Sequence, residues 1–245
     1  MAKYVVDVKS LVAVAEAIRK KTGKSASMTL AQMPTEIERM SNKIRSIAQG
    51  DGFTLTADEL AGISRLYDYA FYRTLITSIE LPTGISSIGA SSFEGCQVLK
   101  KVTIPEGVYN ILTSCFRDCI TLENVTFPKS LNSLGNHSFR NTGMSQVIIP
   151  SSDITVGYGV FTYCKKLTHV TFQGNVRNIL GYVFKGCTSL KLVDFTACTS
   201  VPTLLSSDVF DAVPSTCEVR VPSSLYDAWI TATNWSECSD LIIPY

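Results

Sequence analysis

The sequence predicts an α/β repeat protein, a solenoid of short parallel strands with a small helical module at its amino terminus. Three observations predict it. Seven phenylalanines, Phe71, Phe93, Phe116, Phe139, Phe161, Phe184 and Phe210, recur at separations of 22, 23, 23, 22, 23 and 26 residues. Pairs of alternating apolar residues, most of them followed by proline, recur with the same period. The first fifty residues show no such period and carry charge of the other sign: nine Lys/Arg against four Asp/Glu give +5, leaving −4 for the rest. The expected organisation is a helical attachment or capping module over 1–50, a repeat array over 51–222 and a carboxy-terminal cap over 223–245.

The elements of the first module follow in order. Asp7 can cap a helix from about Val8 to Lys21, with Leu11, Val14, Ala15 and Ile18 on one face and Gly23 as the stop. Met28-Thr29-Leu30 can form one strand, and Pro34 then opens a second helix that ends before Gly50. Met33, Ile37, Met40, Ile44 and Ile47 alternate spacings of four and three along it. That seam spans two heptads, short of the three or four that identify a coiled coil. It is expected to pack on the first helix or on the repeats. Ile37, Met40, Ile44 and Ile47 are also the candidate seam for attachment to a partner or to another copy of the chain.

From residue 53 the repeat dominates, and fixed-period self-similarity outranks other signals. Five positions before the phenylalanines stand Leu66, Ile88, Ile111, Leu134, Val156, Ile179 and Leu205. Six after them, in the full-length units, stand Leu99, Leu122, Leu167 and Leu190. Units then end on Val102/Ile104, Val125/Phe127, Val147/Ile149, Val170/Phe172, Val193/Phe195 and Val219/Val221, as the earlier Ile79/Leu81 precedes Pro82. The Phe71 and Phe139 units are one residue short after the phenylalanine. Alternation over a few β-rich residues, closed by proline, reads as one short strand per unit. Strands about 23 residues apart in sequence and adjacent in space must run parallel, with the intervening residues as the return path. A single unit cannot bury its apolar face, so units stack and share one core. Eight rungs at about 4.8 Å each give a stack roughly 38 Å long.

Units such as Ile-Gly-Ala-Ser-Ser-Phe-Glu-Gly-Cys-Gln-Val-Leu-Lys-Lys-Val-Thr-Ile-Pro (88–105) resemble BspA-type leucine-rich repeats, over about residues 53–222. The segment Val-Pro-Ser-Ser-Leu-Tyr-Asp-Ala-Trp-Ile-Thr-Ala-Thr-Asn-Trp-Ser (221–236) resembles the usual closing segment of such arrays. It reads as a short helix carrying Trp229, with Trp235 and Leu241–Ile243 after it, covering the open end. Glu-Ala-Ile-Arg-Lys-Lys-Thr-Gly-Lys (16–24) followed by Met-Thr-Leu-Ala-Gln-Met-Pro-Thr-Glu-Ile (28–37) is similar to a module of tail and fibre proteins of phages of Gram-positive and gut bacteria. The amino terminus also lacks the apolar stretch and cleavage site of a secretory signal. Together these lead to the expectation of a virion protein made in the host cytoplasm, with a bacterial cell-surface adhesion protein as the alternative. The resemblance implies partners of two kinds: a host cell-surface glycan or protein, and other tail or baseplate proteins. A homo-oligomer, for instance a trimer, is among the expected assemblies.

Composition narrows the chemistry. Net charge is +1, so no nucleic-acid partner is expected, and no apolar run approaches a membrane span. Cys96, Cys119, Cys164 and Cys187 each stand three residues after a repeat phenylalanine. Stacked rungs hold such side chains parallel at about 4.8 Å, wider than a disulfide prefers, so small buried thiols are expected. Thr142 interrupts the column, and Cys115 and Cys119 lack further ligands, so no metal or other cofactor is expected. His137 and His169 are the two histidines; a flat repeat face gives neither the shaped cleft that nucleophilic catalysis needs, and no enzyme is expected. The outward strand positions remain as the candidate recognition surface: Lys101, Thr103, Asn124, Thr126, Gln146, His169, Thr171 and Asp194, with Ile148, Leu192, Glu218 and Arg220 in the same rows. Tyr109, Tyr158, Tyr163 and Tyr182 on the return side form a second candidate.

Overall fold

A computed structural model describes residues 52–245 with the exception of 59 and 61. The expected first module, with the seam Ile37, Met40, Ile44 and Ile47, lies outside the described residues. Strands are numbered in chain order, and the odd numbers form the front of the solenoid. They are β1 (Phe53–Leu55), β3 (Ile76–Glu80), β5 (Lys101–Thr103), β7 (Asn124–Thr126), β9 (Gln146–Ile149), β11 (His169–Phe172), β13 (Leu192–Asp194) and β15 (Glu218–Val221). Every strand pairing is parallel, as a coil with one turn per repeat requires. These eight strands are the eight rungs read from the sequence.

Between them runs a second sheet that the sequence reading treats only as a return path. It comprises β2 (Arg65–Leu66), β4 (Ser87–Ile88), β6 (Asn110–Ile111), β8 (Ser133–Leu134), β10 (Asp153–Val156), β12 (Asn175–Ile179) and β14 (Thr203–Leu204), joined in one unbroken ladder. The apolar column five residues before the phenylalanines is the inward row of this sheet, with Ile88, Ile111, Leu134, Val156 and Ile179 all buried. At the last rung the column is corrected by one position. Leu204 pairs with Ile179 and is buried, while Leu205 is 58% exposed. The reason is local: the final unit inserts a 3-10 turn, Ser207–Phe210, which lengthens the path from the strand to Phe210 by one residue.

The phenylalanine column is a continuous stack. Phe71, Phe93, Phe116 and Phe139 lie 5.1 to 5.2 Å apart between ring centroids, and Phe161, Phe184 and Phe210 continue at 5.5 to 6.0 Å. The turn around each ring explains how the stack is held. Two residues before and two after the phenylalanine the backbone takes positive φ, as at Ser114 and Asp118 around Phe116, or Tyr69 and Arg73 around Phe71. A left-handed non-glycine residue costs about 1–2 kcal/mol, and here the geometry returns hydrogen bonds. The N–H groups of Tyr69, Phe71 and Arg73 donate along the stack to the carbonyls of Ala90, Ser92 and Glu94, at 2.7 to 2.9 Å. The intervening Ala70, Tyr72 and Thr74 donate three residues back within their own turn. The bonds along the stack recur at every rung to Phe161, and at Phe184 the first of them goes to the Asp208 carboxylate instead, so the turns form a third hydrogen-bonded ladder.

The thiol column completes it. Cys96, Cys119, Cys164 and Cys187 donate to the phenylalanine carbonyl of the preceding turn, at 3.0 to 3.1 Å. In the two short units Thr74 and Thr142 stand in this place and donate to Phe71 and Phe139. All eight cysteines are buried and unbridged.

At the carboxy-terminal end a short helix, α1 (Tyr226–Thr231), carries Trp229, and Trp235 follows. Both indoles are fully buried against Phe195, with Trp235 also on Phe210. Trp235 Nε1 donates to the Pro202 carbonyl at 2.9 Å. The chain then adds a ninth front strand, β16 (Ile242–Pro244), parallel to β15. No helix among the described residues is long and apolar enough to cross a membrane.

Candidate functional site

The front sheet places the outward residues in straight rows. Lys101 pairs with Asn124 and Thr103 with Thr126; farther along, Gln146, His169 and Leu192 align, as do Ile148, Thr171 and Asp194. Lys101, Thr103, Asn124, Thr126 and Gln146 are exposed, and His169, Thr171 and Asp194 are half-buried. His169 does not join Asp194: its Nδ1 lies 2.9 Å from Thr168 Oγ1, and Asp194 Oδ1 instead accepts the Thr196 N–H. At the far end Arg220 pairs with Glu218 at 2.8 Å and lies over the Tyr245 ring. Arg220 is therefore engaged with the cap and Glu218 with Arg220.

The row has one discontinuity. The front strands form two sheets, β1-β3-β5-β7 and β9-β11-β13-β15-β16, with no ladder between β7 and β9. Most Cα pairs between these two strands are more than 8 Å apart, whereas paired strands stand about 4.8 Å apart. The back stays closed, with β8 paired to both β6 and β10. Val125 consequently becomes half-buried, while Val102, Val147 and Val170 at equivalent positions are buried. A shallow depression of about 470 Å³ occupies the opening, lined by Lys101, Glu123, Asn124, Val125, Thr126, Gln146 and Ile148. Four of these seven are candidates read from the sequence. Glu123 and Val125 were not, and Ile148, 53% exposed, stood in the row without a role.

The missing residue of the Phe139 unit is the signal that could have located the opening. In both short units the strand after the shortened turn is disturbed toward the strand before it. β1 and β3 show a register shift, and β7 and β9 do not pair. In the second case the turn passes so close to its neighbour that a Cβ on Gly143 would lie 2.6 Å from the Ile120 carbonyl oxygen.

The tyrosine side is organised differently. Tyr158 packs edge-on against His137 and Tyr182, at 5.3 and 5.2 Å between centroids. Cations cover two rings, Arg140 over Tyr163 and Lys185 over Tyr182. Burial pushes the His137 imidazole below its ordinary pKa, and nearby Arg140 adds to this. These rings contact each other and their own cations, which leaves less free ring face than the sequence suggested. Tyr109 is 52% exposed.

Fold and face together define a leucine-rich-repeat solenoid that presents a parallel strand row. The family model for the BspA-type leucine-rich repeat region matches residues 64–191 in six copies, and the chain belongs to that family. Among solved structures it is similar to a leucine-rich repeat protein of T. pallidum, at 25% identity over 66% of this chain and 78% of that one, with a TM-score of 0.58. It is also similar in fold to the pneumococcal vaccine antigen PcpA, at 20% identity over 79% of this chain and 56% of that one, with a TM-score of 0.51. No curated protein matches the chain.

Proposed function

We propose that the chain is a recognition protein of a phage particle, in which residues 1–50 attach to the tail or baseplate and the front of the solenoid meets the bacterial host surface. The observation that supports the recognition half most is the front row itself. From Lys101 to Thr171 its side chains stand on a parallel scaffold, exposed or half-exposed, with no other element among the described residues laid over them. Repeat arrays use such extended surfaces to bind. The attachment half is supported by the similarity of residues 16–37 to phage tail modules and by the reversal from +5 to −4 near residue 50. On this reading no cofactor, metal or catalytic group takes part, and the partner is a surface glycan or protein.

A second reading, a bacterial interaction protein working at the cell surface, is in keeping with the BspA-type repeats and with a bacterial structural relative. An antibody raised against the repeats separates the two. Labelling of purified virions by this antibody supports the first reading; labelling of intact uninfected cells, with unlabelled virions, overturns it. Within the full chain, Ile37→Asp with Ile44→Asp should leave the repeats folded and prevent incorporation into particles. Normal incorporation of that double variant would remove the seam from the attachment role.

A further inference from the structure

We propose that the opening between β7 and β9 is a docking slot for an extended polypeptide segment of the partner, which enters as the missing strand of the front sheet. This rests on the reading of the front face as the recognition surface and gives it a ligand class. Hydrogen-bonding valence carries the inference. In β7 the Asn124 N–H donates to the Lys100 carbonyl and the Thr126 carbonyl accepts from Ile104, so both residues are committed to β5. At β9 the carbonyls of Ser145, the residue just before it, and of Ile149 accept from Thr168 and Gln173, which commits those residues to β11. Successive residues of a strand in a parallel sheet direct their N–H and C=O groups to opposite neighbours. Val125 on one side, and Gln146 and Ile148 on the other, therefore aim theirs into the opening.

Size agrees. Inserting one strand requires two strand spacings, about 9.6 Å, and β7 and β9 stand farther apart than paired strands do. The opening is already present in the fold, with the back sheet closed behind it, which reduces the ordering cost of binding. The lining selects a peptide over a sugar. None of the seven lining residues is aromatic, so the stacking platform that a glycan ring uses is absent from the slot. Exposed Ile148 on the outward face and half-buried Val125 on the inward face instead offer contacts to successive side chains of an added strand, with Lys101 and Glu123 together beside the end where β5 and β7 begin. Backbone pairing gives such a complex its affinity and the alternate side chains give it selectivity.

Random linear peptides displayed on yeast, selected on the full chain and followed by amide exchange, test the slot. The Val125, Gln146 and Ile148 amides should exchange freely in the unliganded chain. A selected peptide should slow them roughly tenfold or more. Ile148→Pro removes a donor that faces the opening and breaks no ladder bond, so it should melt as the parent does and bind the peptide roughly tenfold more weakly. Ile148→Ser keeps that donor, loses the apolar contact and should weaken binding less. Amides already protected in the free chain, no selected peptide that protects them, or unchanged affinity in both variants overturns the proposal. So does protection by host-envelope oligosaccharides in place of peptides. Should the slot fail while changes at His169 and Thr171, outside it, still abolish host binding, the front-face reading stands without it.

Discussion

Phe139 sits at the middle of the stack, fully buried, with Phe116 and Phe161 on its two faces and the Phe127 ring edge-on. Removing its ring leaves a cavity that stacked neighbours cannot collapse into, so Phe139→Ala should cost about 3–5 kcal/mol. Thr126→Ala, on the exposed side of β7, should change stability by less than about 0.5 kcal/mol. Denaturant titration of the two variants checks this, and equal midpoints would contradict the column. The thiols give a second test at this scale. Burial pushes Cys96 and Cys164 up to about 11 and Cys115 and Cys119 well above 9.0. The folded chain should resist thiol reagents at pH 8, and all eight groups should react after unfolding. In the unfolded chain these thiols ionise near 9.0, and in the folded one they stay protonated to about 11. Between those values the folded state holds more protons, so stability should fall as pH rises, by at most about 1.4 kcal/mol per unit for each thiol. A flat profile from pH 9 to 11 would argue against the burial of the column.

A single rung consists of a front strand, a back strand and a turn with two left-handed residues, and these parts were unequally legible in the sequence. The front strands could be read because three or four residues alternate and a proline often closes them. The back strands could not, since Ser87–Ile88 or Asn110–Ile111 holds one apolar residue and no alternation. The left-handed positions hold Tyr, Ser, His, Arg, Asp and Asn more often than glycine, because ladder bonds along the stack, and not side-chain permissiveness, impose them. Leu205 was placed inward because the period alone does not show where an inserted turn falls. The opening between β7 and β9 left a trace only as a spacing of 22. Most of the front face was legible residue by residue, since register in a parallel stack follows from the repeat length. At the capping element, Trp235→Phe keeps a ring against Phe195 and leaves the buried Pro202 carbonyl without its donor. The expected loss is about 1–3 kcal/mol by denaturant midpoint. No loss would mean that the indole contributes only its area.

For the molecule as a whole, hydrogen-bonded ladders of the back sheet, of the turns and of the front, the last interrupted between β7 and β9, join the repeats around one core, and the cap closes one end with two indoles. Such an array is stiff along its length and offers a surface whose residues change from rung to rung while the backbone does not. That separation of scaffold from surface is why the family assignment follows from the inward columns alone and leaves the ligand to the outward rows. Charge is consistent with a contact of mixed polarity, the repeat-bearing part holding thirteen basic and seventeen acidic residues. The central claim is that the front row recognises the host. The direct measurement is binding of the full-length protein to host cells, by fluorescence, for a variant combining Asn124→Ala, Gln146→Ala and His169→Ala. Binding should be lost while the thermal transition stays within about 2 °C of the parent, since none of the three is in the core. Undiminished binding by that variant would contradict the account and move recognition to the tyrosine side.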